Sequence, residues 1–181
     1  MKLFLDTANL DDIEVALKKG FISGITTNPS LMSKEPKGNY VEHMKKIVSL
    51  IEDYSETRIS LSVEVFAQKS NDIIEEAKKL SDEIGYDNLS IKIPIGWEEL
   101  NAISTLANQN YQINCTCIFT EAQCMLATNA GAKYISIFGN RVKEIRGEFQ
   151  RTVGSTRKWL DMYLNTETEI IMGSIRSAID I

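Results

Sequence analysis

LSIKIPIGWEELNAISTLANQNYQINCTCIF, residues 89–119, contains two short apolar runs separated by a helical pattern. The runs Leu89–Pro94 and Gln112–Phe119 have the length and the β-branched content of buried strands. The stretch between them, Glu98–Gln109, predicts an amphipathic helix. A strand, a helix and a second strand in this order predict a parallel βαβ unit, because parallel strands need a crossover connection.

The same alternation continues along the whole chain in both directions. The predicted strands are Lys2–Asp6, Ile22–Asn28, Arg58–Phe66, Leu89–Pro94, Gln112–Phe119, Lys133–Phe138 and Glu169–Ile175. The predicted helices are Leu10–Lys19, Tyr40–Asp53, Asn71–Ile84, Glu98–Gln109, Glu121–Ala130 and Val142–Leu164, the last with a break near Gly147 or Gly154. Asn9 is expected to cap the first helix, Gly20 to end it, and Pro29 to begin a loop or short turn.

Two missing motifs decide between the α/β folds. The first strand is followed by Asp6-Thr7-Ala8-Asn9 rather than by a glycine-rich dinucleotide fingerprint, and no phosphate-loop motif occurs. We therefore predict a TIM (β/α)8-type barrel in which seven strands are visible and the eighth βα unit is absent from the sequence. Residues 1–181 are expected to form a single barrel domain that is incomplete at its C-terminus.

Composition and charge exclude several classes of protein. The chain is 43% hydrophobic and 25% charged, which is typical of a globular protein. Its net charge is −5 and it has no basic tract, so we expect neither a nucleic-acid partner nor a membrane surface. Asp6 follows the N-terminus too closely for a signal peptide, and no apolar run approaches the roughly 20 residues of a membrane helix. A cytoplasmic location is predicted.

Cysteine and histidine usage argues against metal chemistry. Cys115, Cys117 and Cys124 have no Cys-x-x-Cys spacing, and we predict reduced, structural thiols. His43 is the single histidine and is expected to be solvated. No His-rich metal site and no serine or cysteine triad is therefore predicted.

Polar residues share one face of the predicted strands. Because successive strand residues point to opposite faces, Ser90 and Lys92 lie opposite Leu89, Ile91 and Ile93. The same alternation assigns to the barrel interior Asp6, Asn28, Glu64, Lys92, Thr116, Ser174 and Arg176. These residues lie near the C-terminal ends of their strands, where barrel enzymes carry their chemistry. Unpaired charges in an apolar interior are costly, which favours a functional site.

Lys92 is the candidate nucleophile. Desolvation favours a neutral amine, and an amine attacks a carbonyl to form a Schiff base. That chemistry points to carbon–carbon bond making on a ketone, and it needs no metal or organic cofactor. The alternative is a solvated lysine on a surface strand.

Three residues near the C-terminus are candidate ligands for an anion. Arg141, Ser174 and Arg176 offer charge-assisted hydrogen bonds, and a sugar phosphate is the expected ligand. Alternatively, Arg141 is a surface residue at a helix start, and Ser174-Ile175-Arg176 is a loop at a frayed end.

Several short motifs carry a family resemblance, and they lie in order along the chain. They are Leu3–Ala8, Gly24–Ser30, Ser62–Val65, Ile91–Pro94, Asn114–Thr116, Gln123, Ala130–Ala132, Ser136–Arg141 and Ser174–Arg176. With them the chain resembles the transaldolase family, and specifically the small subfamily that includes fructose-6-phosphate aldolase. Thr-Thr-Asn-Pro-Ser at residues 26–30, followed by the lysine strand, is the most specific combination.

The resemblance implies a class I aldol mechanism without a cofactor. Lys92 would form the Schiff base, and Asp6 would act as general acid and base on the C4 hydroxyl. Glu64 and Thr116 would hold a water that relays protons. The resemblance further assigns to substrate binding Thr26, Asn28, Phe138, Arg141, Ser174 and Arg176. It also implies sugar-phosphate substrates and a homo-oligomer.

Two positions favour transfer over release. The transaldolases resemble this chain in having glutamate at 64 and phenylalanine at 138, where fructose-6-phosphate aldolases tend to have glutamine and tyrosine. We therefore expect a transaldolase of the pentose phosphate pathway. A fructose-6-phosphate aldolase is the second hypothesis, and a non-catalytic barrel that assembles with a partner is the third. Two departures from the family pattern stand out: the end at Ile181 before an eighth strand, and Gly139-Asn140 in place of Val-Gly.

Overall fold

The computed structural model describes residues 1–55, 59–147, 149–163 and 167–176. The strands are β1 (Phe4–Asp6), β2 (Gly24–Thr26), β3 (Ser60–Glu64), β4 (Leu89–Pro94), β5 (Gln112–Ile118), β6 (Tyr134–Phe138) and β7 (Glu169–Gly173). The helices are α1 (Leu10–Lys18), α2 (Pro29–Met32), α3 (Tyr40–Tyr54), α4 (Ser70–Ile84), α5 (Trp97–Ala107), α6 (Glu121–Asn129), α7 (Gly139–Arg146) and α8 (Phe149–Met162). One or two helices therefore follow each strand from β1 to β6.

The chain divides into two compact units, the first formed by Met1–Ala67 with Asp72–Ile91. In this unit β1 and β2 are parallel, as are β2 and β3, with Ile25 opposite Leu61 in the second pair. The Leu61 amide donates to the Asn88 carbonyl at 3.1 Å, which brings the start of β4 beside β3. Helices α1 and α3 bury their apolar faces, including Ile13 and Ile47.

The second unit comprises Gln68–Asn71 and Lys92–Ile181. The Ile95 amide donates to the Thr116 carbonyl at 2.9 Å, which pairs the end of β4 with β5. Strands β5 and β6 are parallel, and so are β6 and β7, where Ile137 lies opposite Met172. The apolar faces of α5 and α6 are buried, as are Ile113 and Ile118 of β5 and Ile135 and Ile137 of β6, whereas all of β7 is half-buried.

The strands are hydrogen-bonded in the order of the chain, from β1 to β7. A doubly wound sheet reverses its strand order at a switch point, and this sheet has no reversal among its described strands. Parallel strands in chain order with intervening helices define the TIM-type (β/α) class. The predicted fold class, with seven strands, is confirmed. That one domain extends over residues 1–181 stays a prediction.

The strand prediction for Leu89–Pro94 is matched residue for residue by β4. The other strands are one to four residues shorter than predicted, because a ladder ends before the apolar pattern does. The predicted ends at Arg58 and Leu164 lie outside the described residues. The predicted cap is confirmed: the Asn9 side chain accepts from the Asp12 amide at 3.0 Å.

Two local differences have simple physical causes. Residues 29–32 form the short helix α2, because Asn28 caps it and Pro29 suits a first helical turn, where its missing N–H costs nothing. The long helix predicted from Val142 is two helices, and the break lies at Gly147 rather than Gly154. Gly147 has φ +84°, a backbone conformation that glycine adopts without a Cβ clash.

His43 is half-buried rather than solvated as expected. Its Nε2 lies 2.7 Å from the Ala8 carbonyl, so the ring joins α3 to the segment after β1. Within the described residues, none of the helices has the length and apolar character that crossing a membrane requires.

Candidate active site

The ends of β1 and β2 bring Asp6 and Thr26 together. The parallel register places these residues opposite each other, so their side chains leave the sheet on the same face. The Thr26 hydroxyl donates to Asp6 Oδ1 at 2.7 Å. Thr26 is buried while Asp6 is exposed. The Thr26 hydroxyl therefore orients the Asp6 carboxylate, which remains accessible to solvent.

Asn28 is the N-cap residue of the short helix α2 in the first unit. Its Oδ1 accepts from the Leu31 amide at 2.9 Å and so caps α2. The predicted role of Asn28 in orienting the substrate stays a prediction.

Glu64 is the last residue of β3 and is half-buried. The Tyr40 hydroxyl donates to its backbone carbonyl at 3.2 Å. Immediately beyond it, the amides of Phe66 and Ala67 both donate to Glu76 Oε2, at 2.9 and 2.8 Å. The backbone that carries Glu64 is therefore held by side chains from α3 and α4. Tyr40 and Glu76 were not predicted as site residues, because no local pattern identifies a side chain that hydrogen-bonds the backbone of another element.

In the second unit, Lys92 lies in the middle of β4 with 6% of its surface exposed. The alternative of a solvated surface lysine is therefore wrong. Thr116 on β5 is 1% exposed, and its hydroxyl has no hydrogen-bond partner within the described part of the chain. A buried hydroxyl normally has a partner, so this one is suited to donate to a bound molecule.

Next to Thr116 the β5 ladder is irregular. Its pairing with β6 shifts between Cys115 and Ile118, and Cys117 has φ +60°, which is unusual for a residue with a Cβ. Before the shift, the Ser136 hydroxyl donates to Asn114 Oδ1 at 2.7 Å, and both residues are buried. This pair fixes the two strands to each other on the polar face.

The three cysteines form no disulfide among the described residues. Burial raises the pKa of the Cys115 thiol, and it raises the pKa of Cys124 to about 11. Both buried thiols therefore stay protonated near neutral pH, which suits the structural role that we predicted for them.

The anion-binding candidates lie at the start of α7 and after β7. The Arg141 guanidinium stands 5.3 Å from the Phe138 ring centre, and Arg141 is exposed. Arg176 is also exposed rather than enclosed, and its Nη1 lies 3.4 Å from Glu144 Oε1. Ser174 has φ +59°. The two guanidinium groups are thus accessible to an anion from solvent.

Parallel strands in chain order with intervening helices place the protein in the class of TIM-type α/β folds. The family model for transaldolase/fructose-6-phosphate aldolase matches residues 3–181. A probable transaldolase of Thermoplasma volcanium is 36% identical over 183 residues, which cover 100% of this chain and 78% of the relative. A probable transaldolase of Caldicellulosiruptor saccharolyticus is 38% identical over 181 residues, covering 100% and 79%. One from Nitrosopumilus maritimus is 36% identical over 176 residues, covering 97% and 75%.

The chain belongs to the transaldolase/fructose-6-phosphate aldolase family. The family resemblance inferred from the short motifs is confirmed. Membership supports an enzyme of the aldolase and transaldolase type, and the residues above are candidates for its chemistry.

Proposed function

We propose that this protein is a transaldolase that moves a dihydroxyacetone unit from a ketose phosphate to an aldose phosphate through a Schiff base on Lys92. The donors would be fructose 6-phosphate or sedoheptulose 7-phosphate, and the acceptors erythrose 4-phosphate or glyceraldehyde 3-phosphate, as in the pentose phosphate pathway. We propose further that it acts in the cytoplasm as a homo-oligomer.

The observation that carries the proposal is the burial of Lys92 within β4. An ammonium group is strongly hydrated, and its removal from water is costly without compensation. Lys92 is 6% exposed, so its amine lies in a largely desolvated position. Nucleophilic attack on a carbonyl is the chemistry for which buried lysines are suited.

The reaction balances with side chains of this chain and with water. The Lys92 amine adds to the ketose carbonyl, and loss of water leaves an iminium. Asp6 takes the proton of the C4 hydroxyl, and the C3–C4 bond breaks. The electron pair of that bond moves to the iminium and gives an enamine, while the aldose phosphate leaves. The enamine then attacks the acceptor aldehyde, Asp6 returns the proton, and water releases the product. Glu64 and Thr116 hold the water that moves protons during imine formation and hydrolysis.

Arg141, Ser174 and Arg176 bind the substrate phosphate in this proposal. A phosphate would compete with Glu144 for the Arg176 guanidinium, and bidentate pairing makes arginine a strong phosphate ligand. Thr26 and Asn28 orient the substrate near Asp6, and Phe138 lines the substrate-binding region.

Borohydride trapping with fructose 6-phosphate tests the mechanism. We expect reduction to leave a three-carbon adduct on Lys92, identified by peptide mass spectrometry. Lys92→Arg keeps the charge and cannot form the imine, so it should give no adduct. Lys133→Arg is the matched control, because the Lys133 side chain is 38% exposed and its Nζ lies 4.0 Å from Glu169 Oε1. Folded wild-type protein without an adduct would overturn the proposal.

The second hypothesis is a fructose-6-phosphate aldolase, since the family contains both activities. Phe138 favours transfer, because its ring cannot hydrogen-bond a water that competes with the acceptor for the intermediate. Phe138→Tyr should therefore raise cleavage of fructose 6-phosphate in the absence of an acceptor. Unchanged acceptor-free cleavage in this variant would contradict the assignment to transaldolase.

A further inference from the structure

We propose that Tyr40 and Glu76 are positioning residues for Glu64, and that together they set the rate of imine formation. This inference rests on the proposed function, in which Glu64 holds the relay water. Neither residue touches the reacting atoms in this scheme, because both act on the backbone that carries Glu64.

The first contact comes from the start of α3. Tyr40 is the first residue of this helix, and its hydroxyl donates to the Glu64 carbonyl at 3.2 Å. Burial raises the pKa of Tyr40, so the phenol stays protonated and remains a donor across the physiological range. Its ring meets the Phe66 ring edge-on, with the ring centres 5.1 Å apart. Tyr40 therefore contacts the chain at Glu64 and again two residues later.

The second contact comes from α4. One oxygen of Glu76 accepts from the amides of Phe66 and Ala67, at 2.9 and 2.8 Å. Both amides lie beyond the last residue of β3 and are therefore outside its ladder. A carboxylate is a stronger acceptor than a neutral group, so this contact is suited to fixing the backbone.

Glu64 is thus restrained at its own carbonyl and again at the two amides that follow two and three residues later. The direction of its side chain depends on the backbone angles of the strand end, and those angles are restrained at residue 64 and at residues 66 and 67. A proton relay works over roughly 2.6–3.2 Å, and a misplacement of about 1 Å can cost about a hundredfold in rate. The contacts of Tyr40 and Glu76 with the end of β3 therefore affect the rate of proton transfer as well as the stability of the fold.

The chain supplies matched controls on the same two helices. Tyr54, at the far end of α3, donates to Glu14 at 2.8 Å, so Tyr54→Phe also removes a tyrosine hydrogen bond. Glu83, further along α4, lies 3.9 Å from Lys79, so Glu83→Gln removes a carboxylate charge. Among the described residues, neither control side chain hydrogen-bonds residues 64–67. They are compared with Tyr40→Phe, Glu76→Ala and the conservative variant Glu76→Gln.

The primary measurement is the rate of imine formation with fructose 6-phosphate, by rapid quench into borohydride. We expect Tyr40→Phe, which loses the bond to the Glu64 carbonyl, and Glu76→Ala, which loses both amide bonds, each to slow it about tenfold. Glu76→Gln should recover part of the loss, since its amide oxygen still accepts. KM for the ketose should stay within about twofold, and both controls should keep the wild-type rate.

A double-mutant test separates positioning from general stabilisation. In a Glu64→Ala background, Tyr40→Phe should cause no further loss in the imine rate, because the group through which it acts is gone. An equal loss in both backgrounds would overturn the inference.

Amide hydrogen exchange tests the contacts independently of activity. We expect exchange at Phe66 and Ala67 to be about tenfold faster in Glu76→Ala than in Glu83→Gln. Equal exchange in the two variants would overturn the inference while leaving the proposed function intact. Wild-type protein without a Lys92 adduct would overturn the proposed function, and with it the assignment of a relay role.

Discussion

The contact between Thr26 and Asp6 allows a direct test of the general acid and base. Thr26→Val keeps the shape of the side chain and removes the hydroxyl that donates to Asp6 Oδ1 at 2.7 Å. Thr26→Ser keeps the hydroxyl and removes the methyl group. The pair of variants therefore separates the hydrogen bond from the packing of a buried residue on β2.

The size of the effect follows from the exposure of the two partners. A hydrogen bond to a charged group contributes about 1.5–3 kcal/mol. Asp6 is exposed, so water replaces part of the lost interaction, and the lower end of the range applies. About 1.4 kcal/mol corresponds to a tenfold change, so we expect Thr26→Val to lower kcat/KM by about tenfold.

The assay is transfer from fructose 6-phosphate to erythrose 4-phosphate, measured as kcat and KM. We expect the loss to fall on kcat, because an oriented carboxylate matters most when the proton moves. Thr26→Ser should retain more than half of the activity if the hydroxyl is the important group. Urea unfolding of both variants checks that the folded fraction stays equal.

Two results would refute this reasoning. If Thr26→Val has wild-type kcat/KM, the hydrogen bond does not orient a catalytic carboxylate. If both variants lose the same activity, the methyl group and its packing matter rather than the hydroxyl.

Three further predictions concern stability and are read by urea unfolding. Ser136→Ala removes the donor to Asn114 Oδ1 and should cost about 1–2 kcal/mol. Burial raises the pKa of Cys124 from 9.0 to about 11, so between these pH values the native state keeps a proton that the unfolded chain loses. The free energy of unfolding therefore falls as the pH rises through this range. Cys124→Ala should make this alkaline decline shallower by about 1.4 kcal/mol per pH unit, and an unchanged slope would contradict the assignment. Gly131→Ala should cost about 1–3 kcal/mol, because φ is +92° and the new Cβ would lie 2.7 Å from Ala107 Cβ.

Elements with strong local signals were predictable. The strand Leu89–Pro94 is largely apolar and bounded by turn residues, and the helix that begins at Tyr40 has a regular apolar face. Only one type of secondary structure buries each of these patterns, so the type of element is predictable. Asn9 caps α1 because its side chain needs only the amide three residues later. Lys92 was recognisable as a candidate because a charged residue inside an apolar strand conflicts with its surroundings.

Contacts between distant segments were not predictable. Tyr40 and Glu76 meet the end of β3 across 24 and about ten residues of chain, and nothing near either residue encodes its partner. The shift in the β5 ladder at Cys117 arises from pairing with β6, which strand periodicity does not contain.

The sequence by itself determined the alternation of strands and helices, the family, and the set of polar residues at the strand ends. Local periodicity and short motifs carry that information, because a side chain's face depends only on its position in a strand or helix. Only the tertiary structure decided that Thr26 hydrogen-bonds Asp6, that Arg176 pairs with Glu144, and that His43 contacts the Ala8 carbonyl. Those pairings depend on register and packing between segments far apart in the chain, which no local pattern specifies.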